Sequence, residues 1–240
     1  MSLSVFLILV IGVFLGFFIQ TIIGFAGALV ALPILLLTMS LQDAISYLAL
    51  FYLYSSIILI SKEWKNINKT IIIRLIIATV FGVSLGIWVL QYGKPLILKK
   101  ILGIFILLYV LYTTFMKDKL TANPKLEFVF GLAGGFFSGL FSTGGPLYVM
   151  VVRNSVVDMK VFRATMFGVL GLITLTRVPI LYVQGILKFT HFYYSVLLIP
   201  AFLLSIYFGK KMYSRLNENT LKRIVLSLLF ISGVMLTIKS

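Results

Sequence analysis

The 240-residue chain contains no cysteine, a single histidine and only six acidic residues. The lack of cysteine excludes disulfides, thiolate metal sites and cysteine nucleophiles. All six carboxylates fall at the ends of apolar runs or between them: Asp43, Glu63, Asp118, Glu127, Asp158 and Glu218. This weighs against a cation pathway and against the usual carboxylate proton relay, although coupling through Glu63 or Glu127 stays open. Without paired intramembrane acids or a nucleotide loop, we expect no enzyme activity, no cofactor and no metal.

Apolar sequence dominates the chain. Hydrophobic residues make up 61% and charged residues 11%, and the mean hydropathy is +1.13, which excludes an ordinary soluble domain. Runs of about 20 apolar residues, the length that crosses a bilayer core, recur throughout. We place the apolar elements at 3–38, 41–61, 70–92, 96–116, 126–152, 159–183, 190–209 and 221–238. No basic residue precedes Lys62, so the first element lacks the charged start of a cleaved signal peptide and should be retained.

Basic residues outnumber acidic ones by 21 to 6. The simplest explanation is that basic loops face the cytoplasm and the anionic lipid headgroups there. Part of this excess can also attract an anionic substrate. Because the basic residues sit in short loops between apolar elements, we expect no nucleic-acid partner. The lipid bilayer and a small anion are the expected partners.

Two of the apolar elements are interrupted by glycine in the same way. The first interruption lies in Gly16–Gly27 and the second in Gly134–Pro146. A helix broken inside lipid leaves backbone N–H and C=O groups unpaired, which is tolerated only where the backbone is buried in protein or lines a cavity. Matching breaks in two halves are the best sequence indication of a transporter binding site.

The chain divides into two similar halves, predicted as 1–119 and 120–240 within one membrane domain. Leu41-Gln42-Asp43-Ala44 opens the second element, as Val156-Val157-Asp158-Met159 opens the sixth. Likewise Leu98-Lys99-Lys100-Ile101 begins the fourth element and Leu221-Lys222-Arg223-Ile224 the eighth. A polar connector from Lys117 to Lys125, which contains Asn123-Pro124, separates the halves.

The distribution of basic residues distinguishes two topologies. If every element crosses once, the repeats are parallel and the two sides collect nine and eleven basic residues. If elements one and five are hairpins that turn at the glycines, the split becomes fifteen to five, with Arg177 left inside the membrane. The positive-inside rule prefers the second count. We therefore predict an all-α polytopic membrane protein with two inverted repeats, each a re-entrant hairpin plus three transmembrane helices, with both termini outside.

The residues around the two breaks are the candidate binding site. A half-helix that starts at mid-membrane presents free N–H groups and a positive dipole end, which favour an anion. Hydroxyls and an amide can add further hydrogen bonds. The candidates are Gln20, Thr21, Gly24, Phe25 and Gly27 at the first break, and Ser138, Ser142, Thr143, Gly144 and Gly145 at the second. The alternative is close helix packing, in which small residues let backbones approach.

Two arginines are further candidates. Arg177 is the one basic residue well inside an apolar run, so it needs a partner, a wet cavity or a role. Its alternative explanation is that its side chain extends from the helix end toward the headgroups. Arg163 begins the same element from the other side, where it is either a positive-inside anchor or the cytoplasmic mouth of an anion path.

Both motifs resemble those of a known family. Ile23-Gly24-Phe25-Ala26-Gly27-Ala28-Leu29-Val30-Ala31-Leu32-Pro33 and Gly139-Leu140-Phe141-Ser142-Thr143-Gly144-Gly145-Pro146-Leu147-Tyr148-Val149 resemble the duplicated Gly-rich motifs of the sulfite exporter TauE/SafE family. Relative to the fuller Gly-Gly-Gly pattern, Phe25 and Ala26 interrupt the first copy, and Ser142-Thr143 replace a Gly-Ile pair in the second. The resemblance implies movement of sulfite, sulfonates or related sulfur oxyanions across the cytoplasmic membrane, often outward.

The sequence thus predicts a secondary transporter of small sulfur-containing anions in the cell membrane, working by alternating access at a midplane site. A passive anion channel and a membrane accessory subunit that binds no ligand are the alternatives. The spacings Gly82/Gly86 and Gly131/Gly135 would allow helix pairing within one chain or in a homo-oligomer, and the sequence does not choose between them.

Overall fold

A computed structural model describes residues 2–115, 124–213 and 218–238, and in these ranges the ordered secondary structure is entirely helical. The helices are α1 (Leu3–Ile23), α2 (Gly27–Leu35), α3 (Leu41–Glu63), α4 (Lys69–Tyr92), α5 (Pro95–Phe115), α6 (Pro124–Phe141), α7 (Gly145–Ser155), α8 (Met159–Val183), α9 (Phe189–Leu197), α10 (Ile199–Tyr213) and α11 (Glu218–Ile238). A short 3₁₀ turn (Trp64–Asn66) follows α3. Most of the predicted connector, with the boundary at 119/120, lies outside the described residues.

Side-chain caps fix where three of the long helices begin. The Ser40 hydroxyl accepts from the Asp43 N–H at 3.1 Å ahead of α3, and the Asn68 side chain accepts from the Ile71 N–H ahead of α4. Asp158 accepts from the N–H groups of Lys160 and Val161 ahead of α8. Such caps satisfy N–H groups that a helix end leaves unpaired. The element boundaries at 41, 70 and 159 are therefore reproduced within one residue.

Five helices among the described residues are long and apolar enough to cross a membrane: α1, α3 with the turn that follows it, α4, α5 and α8. The α9–α10 pair makes a sixth candidate, bent by 55°. The sequence predicted one element at 190–209, whereas the helix is interrupted at Leu198. Pro200 explains the bend, since it has no N–H to continue the helical ladder.

Apolar side chains cover the outside of these helices, as expected of a protein surrounded by lipid. On α4, Ile73, Ile77 and Phe81 are each more than 60% exposed and recur every four residues, so they form one outward stripe. Trp88 and Tyr92 continue this stripe to the end of the helix, where interfacial aromatic residues are enriched. The predicted all-helical, multi-pass membrane architecture is confirmed.

The two predicted breaks are real interruptions of the helical backbone. The first break (residues 24–26) separates α1 from α2, and the second break (residues 142–144) separates α6 from α7. Each short helix packs back along the long helix before it. A methyl group placed on Gly12 would meet Leu35, and one on Gly16 would meet Ala31, so α1 and α2 run in opposite directions. At about 14 Å, nine-residue α2 is too short to cross the bilayer core alone.

The glycine spacings that the sequence left unassigned serve packing within one chain. A Cβ on Gly82 of α4 would lie 3.0 Å from the Cα of Gly135 on α6, and one on Gly86 would lie 3.1 Å from the Cα of Gly139. Small residues at this spacing let two helix backbones touch. Residue numbers increase in the same direction along α4 and α6 at these contacts, so the two helices are parallel.

Two other pairs of long helices are antiparallel. Along α3 and α8, Ile45 lies beside Arg177, while Ile60 lies beside Gly171. Along α5 and α11, Gly103 lies against Thr237 and Leu107 against Gly233. In the two halves predicted from the sequence, α3 would correspond to α8 and α5 to α11.

Candidate functional site

The two breaks meet inside the protein. A Cβ built on Gly145, the first residue of α7, would lie 3.2 Å from Phe25 Cβ and 3.8 Å from the backbone nitrogen of Ala26. Gly145 needs no unusual φ angle, because its backbone is helical; it is small because Phe25 of the first break occupies the adjoining space. The structure thus brings the two broken segments into contact.

Two short helices start at this meeting point without side-chain caps. Ala26 precedes α2 and Gly144 precedes α7, and neither provides a capping side chain. One N–H of the first turn of α2 has a partner, since Ala28 N–H donates to the Tyr52 hydroxyl at 2.9 Å. For the N–H groups of Gly27 and Gly145 no acceptor is found in the described parts of the chain. Two positive helix ends thus converge in a buried region.

Three buried polar side chains near the breaks hold atoms without hydrogen-bond partners. These atoms are Gln20 Oε1, Ser142 Oγ and Thr143 Oγ1. Gln20 is 1% exposed, and its Nε2 donates to the Ser55 hydroxyl at 3.0 Å, while its Oε1 lies against Gly27. Burying such groups unpaired costs about 1–3 kcal/mol each. In native proteins, such unpaired groups usually find their partner in a ligand or an ordered water.

Arg177 is buried beside the second break. It is 2% exposed, so its side chain does not extend toward the headgroups. Nη1 donates to the Ser138 carbonyl at 3.2 Å and Nη2 to the Ile45 carbonyl at 3.0 Å, while Nε has no partner. None of the four carboxylates whose side chains are described forms an ion pair with it. Arg177 is therefore a buried cation held by two carbonyl dipoles.

Arg163 lies at the first break. Its side chain covers Gly24, since a Cβ on that glycine would be 2.9 Å from Arg163 Cγ. Nη2 bonds Glu63 Oε1 at 2.5 Å, and the guanidinium stacks 4.1 Å from the ring centre of Tyr213. Both candidate arginines thus lie next to a break, one at each, but Arg163 has a carboxylate partner.

The remaining predicted residues have structural neighbours that explain their size or polarity. Thr21 donates its hydroxyl proton to the Phe17 carbonyl at 2.7 Å, and its methyl side packs against Gly209 of α10. The Ser138 hydroxyl faces Gly144, where a Cβ would overlap both that oxygen and the Gly134 carbonyl. Glycine at 144 is therefore required by space rather than by its φ of −68°.

Left-handed backbone occurs where the sequence departs from the glycine-rich pattern. Ala26 has φ of 72° and Ser142 has φ of 63°, and these are the two non-glycine residues with positive φ in the described ranges. Gly24, with φ of 94°, takes the same conformation without strain. Such conformations cost non-glycine residues on the order of 1 kcal/mol or more, and they cluster at functional sites.

The candidate site residues chosen from the sequence did not include Tyr52, Ser55 or Glu63, although coupling through Glu63 was left open. Tyr52 caps α2, Ser55 orients Gln20, and Glu63 neutralises Arg163. Tyr52 and Ser55 do carry a sequence signal, since both are polar groups within an apolar span. The role of Glu63 carried no such signal, because it sits 100 residues from its partner at a helix end.

The described residues around the breaks offer donors rather than ligands for a cation. No group of three or more His, Cys, Asp or Glu side chains that could hold a metal is found among them. Arg177, the N–H groups of two helix ends and the hydroxyls of Tyr52, Ser142 and Thr143 all favour negative charge. The arrangement suits a small oxyanion that accepts several hydrogen bonds.

Comparison with known proteins identifies the family of this chain. A family model described as "Sulfite exporter TauE/SafE" matches residues 8–236. A "probable membrane transporter protein" of Methanocaldococcus jannaschii is 30% identical over 187 residues, which cover 72% of this chain and 69% of that protein. No solved structure matches the chain. Because the family match extends over almost the entire sequence, the chain belongs to the sulfite exporter TauE/SafE family of membrane transporters.

Proposed function

We propose that this protein is a secondary transporter that exports a small sulfur-containing anion, sulfite or an organosulfonate, across the cell membrane. The observation that carries the proposal is Arg177, a buried cation without a carboxylate partner among the described residues, beside the point where the two breaks meet. A buried charge in a membrane protein marks a substrate path or a pair. The name of the family supplies sulfite as the first substrate to test.

The proposed site places the anion between the starts of α2 and α7. Gly27 and Gly145 would donate backbone N–H groups, and Arg177 would supply the counter-charge. Tyr52 accepts from Ala28, so its own hydroxyl hydrogen is left for the ligand, and Thr143 and Ser142 add hydroxyls. The second N–H of the Gln20 amide would complete the shell, since its first is donated to Ser55. Thr21 would support the site by packing, since its proton is committed to Phe17.

We further propose that the halves are inverted repeats, with the two broken segments as re-entrant hairpins that enter from opposite faces. The helix directions support this topology. If all eight elements crossed once, α3 and α8 would be parallel, as would α5 and α11, whereas both pairs are antiparallel. Both termini would then lie outside. Rocking of the hairpins against the long helices would expose the site to each face in turn.

The native lack of cysteine allows a direct test of this topology. Lys65→Cys, Lys94→Cys and Arg153→Cys each place one thiol at an exposed position. We expect a membrane-impermeant maleimide to label Arg153→Cys from the same face as Lys65→Cys. Labelling of Arg153→Cys from the face of Lys94→Cys would favour parallel repeats and exclude the hairpins.

Transport itself is tested in proteoliposomes. We expect external sulfite to exchange with internal labelled sulfite, with saturating rates, and Arg177→Gln to abolish the exchange. Non-saturating flux without counterflow would identify a passive channel instead. No flux and no sulfite binding would favour an accessory subunit whose glycines serve only helix packing.

A further inference from the structure

The ion pair between Arg163 and Glu63 at the first break leaves several of its hydrogen-bonding atoms unpaired. Arg163 and Glu63 are both largely buried, with side chains 11% and 14% exposed. Yet Arg163 Nε and Nη1 have no acceptor, and Glu63 Oε2 has no donor. A carboxylate that truly matched a guanidinium would bond it through two oxygens. Glu63 bonds only Nη2 of the guanidinium and leaves Nε and Nη1 without acceptors.

The surroundings of this pair carry excess positive charge. Lys210 lies within electrostatic range of Lys62, Glu63 and Arg163. These four side chains therefore bring three positive charges and one negative charge together. Part of the pair is shielded from water, since Tyr213 covers one face of the guanidinium and Gly24 lies against its stem. A further anion at this place would neutralise charge and fill the unused donors.

We propose that Arg163, with Lys62 and Lys210, forms a second oxyanion site next to the first break, and that Glu63 occupies it as a tethered competitor. The site rests on the proposed function, since it would be where the anion waits before or after the central site. A tri- or tetrahedral oxyanion such as sulfite or sulfate offers enough oxygens to fill Nε, Nη1 and Nη2 together. The anion enters by displacing Glu63 from the guanidinium.

The test measures the melting temperature of the purified protein at increasing concentrations of sulfite or sulfate. Chloride at equal ionic strength is the control. A tethered carboxylate competes at an effective concentration of millimolar order or more. We therefore expect Glu63→Gln to lower the oxyanion concentration needed for half-maximal stabilisation by at least about tenfold. The double variant Glu63→Gln/Arg163→Gln should lose this gain. Glu127→Gln is the matched control, because it removes a carboxylate from an ion pair whose arginine is 60% exposed.

Three further variants make the result decisive. If Glu63→Gln does not fold, Glu63→Asp withdraws the carboxylate by one methylene and should shift the oxyanion dependence in the same direction. In Glu63→Gln/Arg177→Gln the central site is silenced, and oxyanion stabilisation should persist. Weaker stabilisation by sulfite in Arg177→Gln alone tests the central site separately, because Glu63 still competes for the second site in that variant. Two results would overturn the proposal. In the first, Glu63→Gln and Glu63→Asp need the same oxyanion concentration for half-maximal stabilisation as the wild type. In the second, that concentration is still lowered in Glu63→Gln/Arg163→Gln.

Discussion

Replacing Arg177 by methionine should change stability and ligand binding in opposite directions. A charged side chain at the centre of a membrane helix costs about 2.5–3.5 kcal/mol. Arg177 recovers part of this through two hydrogen bonds to helix carbonyls, worth about 0.6 kcal/mol each in a membrane protein. Ser138 also accepts from Ser142 N–H, so removal of the arginine does not leave that carbonyl unpaired. The ligand-free protein should gain about 1–2 kcal/mol.

The same substitution should abolish anion binding. Two unit charges about 4 Å apart attract by about 4 kcal/mol at an effective dielectric constant of 20, which corresponds to roughly a thousandfold in Kd. A ligand at 100 times its wild-type Kd stabilises by about 2.7 kcal/mol, and this shift should disappear. Arg177→Met should therefore melt higher than the wild type without sulfite. Sulfite at this concentration should not raise its melting temperature further, because Glu63 still occupies the second site in this variant.

Thermal melting of the detergent-purified protein measures both effects. For a protein of this size 1 kcal/mol corresponds to about 2–4 °C, so we expect a rise of about 2–8 °C in the ligand-free state. Arg74→Met is the control, because Arg74 is 60% exposed, and its loss should matter by less than about 1 kcal/mol. The reasoning is refuted if Arg177→Met melts lower than the wild type and keeps its sulfite shift, since Arg177 would then be a structural residue.

Three other substitutions give distinct outcomes. Gly144→Leu should abolish transport while membrane insertion persists, because even a Cβ there would overlap the Gly134 carbonyl; normal flux would contradict the proposed site. Ala26→Gly should raise the melting temperature by the equivalent of about 1 kcal/mol, since glycine adopts φ of 72° freely; a lower value would show that the lost methyl contact outweighs strain. Thr143→Val should leave stability equal or higher but weaken sulfite binding by about tenfold in isothermal titration, because its buried hydroxyl has no partner to lose.

Much of the architecture was predictable because a bilayer imposes simple rules on sequence. Spans need about 20 apolar residues, and polar caps mark their ends, so the elements at 41–61, 70–92 and 159–183 match α3, α4 and α8 closely. Glycine breaks are visible as composition, and both occur where expected. The bend at Leu198 was missed, although Pro200 carried the signal for it.

The candidate site was predictable only in part. Hydroxyls and an amide inside apolar runs made Gln20, Ser142 and Thr143 candidates, because a buried polar group in a membrane protein needs a partner, and in the structure each of the three holds a buried polar atom without one. The sequence could not decide whether Arg177 reached the headgroups, since a helix position fixes neither the rotamer nor the neighbours of a side chain. Burial between α3 and α6 answered that question.

The sequence by itself determined that this is a helical multi-pass membrane protein of the TauE/SafE family with two broken segments, because span length, hydropathy and motif are local properties. Tertiary structure alone decided which distant residues meet: Phe25 with Gly145, Arg163 with Glu63, and Gly82 with Gly135. Such contacts depend on the directions and close approach of helices packed in three dimensions. Lipid is as apolar as the helix faces themselves, so hydrophobic pattern cannot specify those partners, and the fit of small residues and buried polar groups does.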